Sequence, residues 1–180
     1  LDDPEATRII LEKLKKATID FGRAQIEAGV DALTLPDHAT GDLVSGEYYH
    51  RYLKTLHSEF AASIPCPLIL HICGRTVDRM GFIAETGMAA FHYDSKNGAS
   101  ESMEMVKGRI ALVGNINNPE TLFAKSPEDV KAEVFANLDA GVNMIGPECA
   151  IPLQTSIANL RAIPEAVHEW HSRHLSLIHI

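Results

Sequence analysis

The sequence predicts an α/β fold of the (β/α)8 TIM-barrel type, present here as its C-terminal five βα units. Three observations predict it. Short apolar runs alternate with amphipathic helical stretches, each run ends in polar residues, and no Gly-rich phosphate-binding turn follows any of them. Strands separated by helices imply parallel βαβ units. In a barrel the C-terminal ends of the strands converge on one mouth, where the chemistry sits. A doubly wound sheet instead gathers its ligands at a switch point. A complete eight-stranded barrel takes about 250 residues. The chain of 180 residues is therefore expected to be the C-terminal portion of a barrel lacking about three strands, and its start at Leu1 rather than Met fits a piece of a longer polypeptide.

The elements follow in order. Asp2 or Asp3 caps a first helix with Pro4 in its first turn. Ile9, Ile10, Leu14, Ala17 and Phe21 recur at helical spacing until Gly29 stops the helix. Val30 to Leu35 reads as a strand leaving through Pro36-Asp37-His38, and a helix carrying Tyr48, Tyr49, Tyr52, Leu53, Leu56 and Phe60 follows. Pro65-Cys66-Pro67 introduces the buried strand Leu68 to Cys73. A helix from Val77 to Glu85 ends at Gly87, and Ala89 to Asp94 and Ile110 to Asn115 are the next strands. Ser126-Pro127-Glu128-Asp129 is a strong helix start, with a cap, a proline and two acids at the positive end of the dipole. That helix stops at Gly141, Val142 to Gly146 is the last strand, and a final helix from Ile157 is expected to be interrupted by Pro164. Residues 1–174 form the domain, with 175–180 a tail outside it.

Bulk properties narrow the function. A hydrophobic fraction of 46% and a charged fraction of 22% are those of a soluble globular domain, expected in the cytoplasm. A net charge of −8 without a Lys/Arg cluster argues against a nucleic-acid surface, and no apolar run is long enough to cross a bilayer. Three cysteines at unequal spacing argue against a disulfide scaffold and for a reducing compartment.

The chemistry concentrates at the strand ends. Side chains alternate faces along a strand, so His71 and Cys73, two apart, point to the same side at the mouth. Zinc accepts imidazole nitrogen and thiolate sulfur, and three protein ligands with one open position form the catalytic pattern. Cys149, after the last strand, is the third candidate ligand. The competing reading is a buried strand with a core cysteine and a capped histidine. Asp94 ends the adjacent strand, either as an oxygen ligand, as an acceptor orienting His71, or as a capping residue. Asp37, His38, Asn115 and Asn117 are candidates for holding the polar end of a substrate, and local turn hydrogen bonds compete for Asp37 and His38. Cys66, between two prolines before its strand, is read as structural. His168, His171, His174 and His179 are read as a surface helix and tail.

Leu70-His71-Ile72-Cys73-Gly74, Leu112-Val113-Gly114-Asn115-Ile116-Asn117, and Gly146-Pro147-Glu148-Cys149-Ala150-Ile151-Pro152 with Asn159-Leu160 resemble the uroporphyrinogen decarboxylase superfamily. The chain is most similar to the zinc branch, the methylcobalamin:coenzyme M methyltransferases and related corrinoid methyltransferases, from about Asp3 to Trp170. The resemblance implies a TIM barrel in which His71, Cys73 and Cys149 hold zinc, with an acidic residue at or near Asp94 as an exchangeable fourth ligand. It implies a methylcorrinoid, carried by a partner protein, as methyl donor. The acceptor would be a thiol such as coenzyme M or another small molecule such as tetrahydrofolate. Decarboxylases of the superfamily lack this zinc pair. Two other functions compete: decarboxylation of a tetrapyrrole without metal, and a structural zinc fragment closed by a fourth protein ligand. The open sheet edges left by missing strands predict self-association, as a homo-oligomer.

Overall fold

A computed structural model of the protein describes residues 3–175. Five strands form one all-parallel sheet: β1 (Leu33–Asp37), β2 (Leu68–Ile72), β3 (Ala90–Tyr93), β4 (Ala111–Ile116) and β5 (Met144–Pro147), in the order β1-β2-β3-β4-β5. Each strand pairs with its sequence neighbour, as in the register pairs His71↔His92 and Asn115↔Gly146. The order never reverses, so there is no doubly wound switch point, and the winding is that of a TIM-type barrel. Among the described residues β1 and β5 each pair on one side only.

Helix α1 (Pro4–Glu27) is capped by Asp3, whose carboxylate accepts the Glu5 and Ala6 N–H groups. Asp2 lies outside the described residues. Between β1 and β2 a short α2 (Gly46–Tyr48) runs through a π-helical stretch, Tyr49–Leu53, into α3 (Lys54–Ser63). Helix α4 (Val77–Ile83) follows β2, α5 (Ala99–Val106) follows β3, and a π-helical stretch, Asn118–Phe123, precedes α6 (Pro127–Asp139). Ser126 and Asp129 bond reciprocally in the capping box that the sequence spelled out. Helix α7 (Ile157–Leu175) closes the chain. Among the described residues no helix is long and apolar enough to cross a membrane.

One face of the sheet carries the core. Leu68, Leu70 and Ile72 of β2, Phe91 and Tyr93 of β3 and Leu112 of β4 are buried against Phe60, Met80, Ile83 and Val106 of the helices. A second cluster joins Ile116 and Leu122 to Val130 and Val134 of α6 and Ala162, Ile163 and Ala166 of α7. Ile69 and His71 of β2 and His92 of β3 are only half buried and face the opposite, lumenal side.

The structure departs from the sequence reading at several element ends, among them the last strand, which runs from Met144 to Pro147, and in three further respects. The first strand starts at Leu33 rather than Val30, because the Val30 N–H is still committed to the helix, accepted by the Gln25 carbonyl. Helix α5, which the sequence reading lacks, spans only eight residues, and its apolar side rests on Ala99, Met103 and Val106. Pro164 does not interrupt the last helix: it lies on the exposed side of a continuous α7 whose other side is packed on α6. The interior-proline penalty is thus met on the solvent side. Finally, Leu175 completes α7 rather than starting the tail, while residues 176–180 lie outside the described residues.

Candidate metal centre

The centre is built where β2 and β5 end. His71 lies on the lumenal side of β2, and Cys73 follows two residues later, just past the strand. Gly74 then takes φ +74°, a conformation that L residues rarely adopt, and a Cβ there would collide with Thr40 Oγ1. Cys149 comes from the segment after β5, where strand alternation no longer dictates direction. His71 Nε2 lies 3.1 Å from Cys73 Sγ, and Cys73 Sγ lies 3.0 Å from Cys149 Sγ. The three ligand atoms all fall within 4.8 Å of one another, and this is the one such group of three or more among the described residues. All three cysteines are free thiols, and Cys66 sits partly buried against the core at the start of β2, away from the mouth.

The protonation pattern suits a cation. His71 Nδ1 faces the His92 main-chain oxygen at 3.3 Å. A carbonyl only accepts, so Nδ1 carries the proton and Nε2 presents its lone pair to the two sulfurs. Burial, then the adjacent His92, hold the His71 imidazole below its usual pKa, which favours the neutral ligand form. Burial first, then Cys149, Asp94 and Glu148, push the Cys73 thiol up to about 12. A thiol held up in this way gives its thiolate when a cation joins the cluster. Two sulfurs and one imidazole are a donor set that zinc accepts. On this chemistry the residues fit the metal.

Asp94 is near the cluster but outside the group of three. Its Oδ2 accepts the Gly74 N–H at 2.8 Å and its Oδ1 the Lys96 N–H at 2.9 Å. Asp37 turns the other way, to the helical layer, where Oδ2 meets His57 Nε2 at 2.9 Å and Oδ1 accepts the Ala39 N–H. His57 in turn meets the Tyr49 hydroxyl through Nδ1 at 2.8 Å. His38, the next residue, is exposed and close enough for its charge to act on His71. Asn115 is buried and donates to the Asn97 carbonyl at 2.9 Å. Asn117 caps the π-helical stretch by accepting the Glu120 N–H, and donates to Ser95 Oγ.

Three further residues organise the mouth and were not singled out from the sequence. The His92 ring lies 4.4 Å from the His71 ring, tilted by 39°, and donates through Nε2 to the Pro147 carbonyl at 2.7 Å. Asn97 joins the loops after β2 and β3: its side chain accepts the Thr76 and Val77 N–H groups and donates to the Gly74 and Asp94 carbonyls. Glu148 is the third. A signal existed for His92, since His92-Tyr93-Asp94 repeats on β3 the polar two-residue spacing of His71 and Cys73 on β2. None existed for Asn97 and Glu148, whose partners are backbone groups and, the Asp94 carbonyl apart, far away in sequence.

The sequence pattern of the uroporphyrinogen decarboxylase (URO-D) family matches residues 1–170. The chain belongs to the URO-D family. Among its relatives, a methylcobamide:CoM methyltransferase of Methanosarcina barkeri is 31% identical over 159 residues, covering 87% of this chain and 47% of that protein. A uroporphyrinogen decarboxylase of Burkholderia mallei is 32% identical over 151 residues, covering 79% of this chain and 40% of that protein. A solved methyltransferase from Methanosarcina mazei superposes with a TM-score of 0.84 at 30% identity, over 87% of this chain and 47% of its own. The chain thus spans about half the length of the curated relatives it matches. Methyltransferases and decarboxylases match at similar identity, so the side chains at the mouth have to separate the two.

Proposed function

We propose that this protein contributes the zinc-binding half of a methyltransferase that moves a methyl group from a methylated corrinoid protein to a thiol such as coenzyme M, or to another acceptor such as tetrahydrofolate. The convergence of His71 Nε2, Cys73 Sγ and Cys149 Sγ carries the reading. The Methanosarcina relatives, which are methylcobamide:CoM methyltransferases, support it.

His71, Cys73 and Cys149 would hold the metal, with His71 oriented through its Nδ1–H on the His92 carbonyl. Zinc, when bound, lowers the pKa of a thiol at its open position, so that sulfur is a nucleophile at neutral pH. Cys73 and Cys149, as thiolates, would balance its charge formally and leave electron density on the acceptor sulfur. Asp94 would act as the exchangeable fourth ligand, giving way to the acceptor. Asn97 would keep the β2 and β3 loops in one geometry, which in-line transfer requires. His38 and Asn117, near the strand ends, would border the mouth where an acceptor and the corrinoid face of a partner protein would meet, with the buried Asn115 holding the Asn97 carbonyl behind them. Overall the S–CH3 bond forms as the Co–CH3 bond breaks, with the electron pair left on cobalt and the thiol proton released. A reducing compartment such as the cytoplasm would keep Cys73 and Cys149 available as ligands.

The test is metal analysis of the purified protein, followed by methyl transfer from methylcobalamin to a panel of thiols and to tetrahydrofolate. One zinc per chain, lost on Cys149→Ala, is expected. A metal-free protein that decarboxylates a tetrapyrrole would assign it to the decarboxylases instead.

A further inference from the structure

Glu148 is buried, with 6% of the residue exposed, and the hydrogen bonds its carboxylate accepts come from backbone N–H groups. One oxygen accepts the Ser95 N–H, in the loop after β3, at 2.8 Å. The other accepts the Asn118 N–H, at the start of the turn after β4, also at 2.8 Å. The Glu148 N–H itself donates to the Ile116 carbonyl at 3.0 Å. On the other side of Cys149, the Ala150 carbonyl accepts the Asn118 side-chain N–H at 2.8 Å. Both neighbours of Cys149 are therefore tied to Asn118. The residue before them, Pro147, is tied to His92, whose own carbonyl orients His71.

A buried carboxylate is costly unless it is hydrogen-bonded and faces positive charge. Glu148 has the hydrogen bonds, and a metal ion beside Cys149 would supply the charge. A carboxylate accepts with both oxygens, so it can join two N–H groups from different loops. No other side chain of this length does so without presenting a donor to one of them.

We propose that Glu148 is the positioning residue of the metal centre: its buried carboxylate, bridging the loops after β3 and β4, fixes the backbone that presents Cys149 to His71 and Cys73. The proposal rests on the reading of those three residues as metal ligands.

Cobalt(II) titration of the whole protein tests it, because thiolate-to-cobalt charge transfer reports how many sulfurs bind. The unmodified protein, Glu148→Gln and Cys149→Ser are compared. Glu148→Gln leaves one backbone N–H facing an amide N–H. Its cobalt affinity is expected to fall roughly 10- to 100-fold, with the charge-transfer band reduced towards that of Cys149→Ser. A role confined to folding would lower the unfolding temperature and leave band and affinity unchanged, and that result overturns the proposal. If the unmodified protein binds neither cobalt nor zinc, the metal reading falls and the proposal with it. Should Glu148→Gln not fold, amide exchange in the unmodified protein decides. Zinc is expected to slow exchange at Ser95 and Asn118, and equal exchange with and without zinc overturns the proposal.

Discussion

The His71 ring donates its Nδ1–H to the main-chain carbonyl of His92, the residue paired with it in register on the neighbouring strand. The acceptor is part of the sheet itself, so the orientation of the ligand is set by strand pairing and needs no separate side chain. The same His92 reaches Pro147 through its ring, which links the ends of β2, β3 and β5. The metal-binding geometry is in this sense a property of the sheet.

Substitution of Cys73 by Ser tests the ligand set. It replaces a soft thiolate with a hydroxyl that stays protonated near neutral pH, at almost unchanged volume. Zinc content is expected to fall well below one per chain, and methyl transfer by the complete enzyme to fall with it. Since Cys73 is only half buried, the thermal unfolding of the metal-free protein should barely move. Plasma emission spectrometry and calorimetry on the same sample check both parts.

Asp94→Asn should behave differently. The orienting acceptor of His71 is the His92 carbonyl, so removing the Asp94 charge leaves the three ligands in place. Zinc is expected to remain bound at one per chain, with affinity reduced less than about tenfold, short of the loss seen when an orienting partner is removed. If Asp94 is a displaceable ligand, the apparent affinity for an acceptor thiol rises. Competitive chelator titration, with thiol binding measured on the same protein, separates these outcomes.

Much of this was readable in the sequence because it is local. Leu68 to Cys73 is a short apolar run whose period-two alternation places Leu70 and Ile72 in the core and His71 in the lumen, as observed. Ser126 and Asp129 announced their helix three residues apart. What was not readable depends on contacts between distant loops. Asp37 ends its strand like a mouth residue, yet the alternation that packs Leu33 and Leu35 against the core turns it to the helices, where His57 waits. Glu148 looked like one more polar strand end, because Ser95 and Asn118 contribute only their N–H groups and leave no trace in residue type.

Asp37 gives the acid limb of stability a definite sign. Burial opposes its ionisation, but the His57 hydrogen bond and charge, with the Ala39 and His38 N–H groups, outweigh burial and hold its carboxyl below the ordinary value. A depressed carboxyl contributes stability that is fully present above the unfolded-state pKa, about 3.9. That contribution is lost as pH falls through the lower folded-state value. Urea midpoints are expected to drop on acidification below about pH 4. Asp37→Asn should flatten that limb while costing roughly 1.5–3 kcal/mol at neutral pH. An unchanged acid limb in the variant would remove Asp37 from this role.

The last prediction concerns association. In the described residues β1 and β5 each leave one side unpaired, and unpaired strand edges recruit other strands. Beside the β1 edge, α1 exposes Ile9, Ile10, Leu14 and Phe21, with Phe21 67% exposed. At the β5 edge Met144 is 50% exposed. Apolar surface next to an open edge makes pairing with a second copy favourable, since both backbone and side chains gain partners. Pro36 in β1 removes one N–H and limits the length of any such pairing. Sedimentation velocity of this chain is expected to show concentration-dependent association. Phe21→Glu should shift it towards monomer by at least about tenfold in dissociation constant, since burying an unpaired charge costs more than the 1.4 kcal/mol that a tenfold change requires. A protein monomeric at every concentration would show that Pro36 and the short edges suffice to keep the sheet alone.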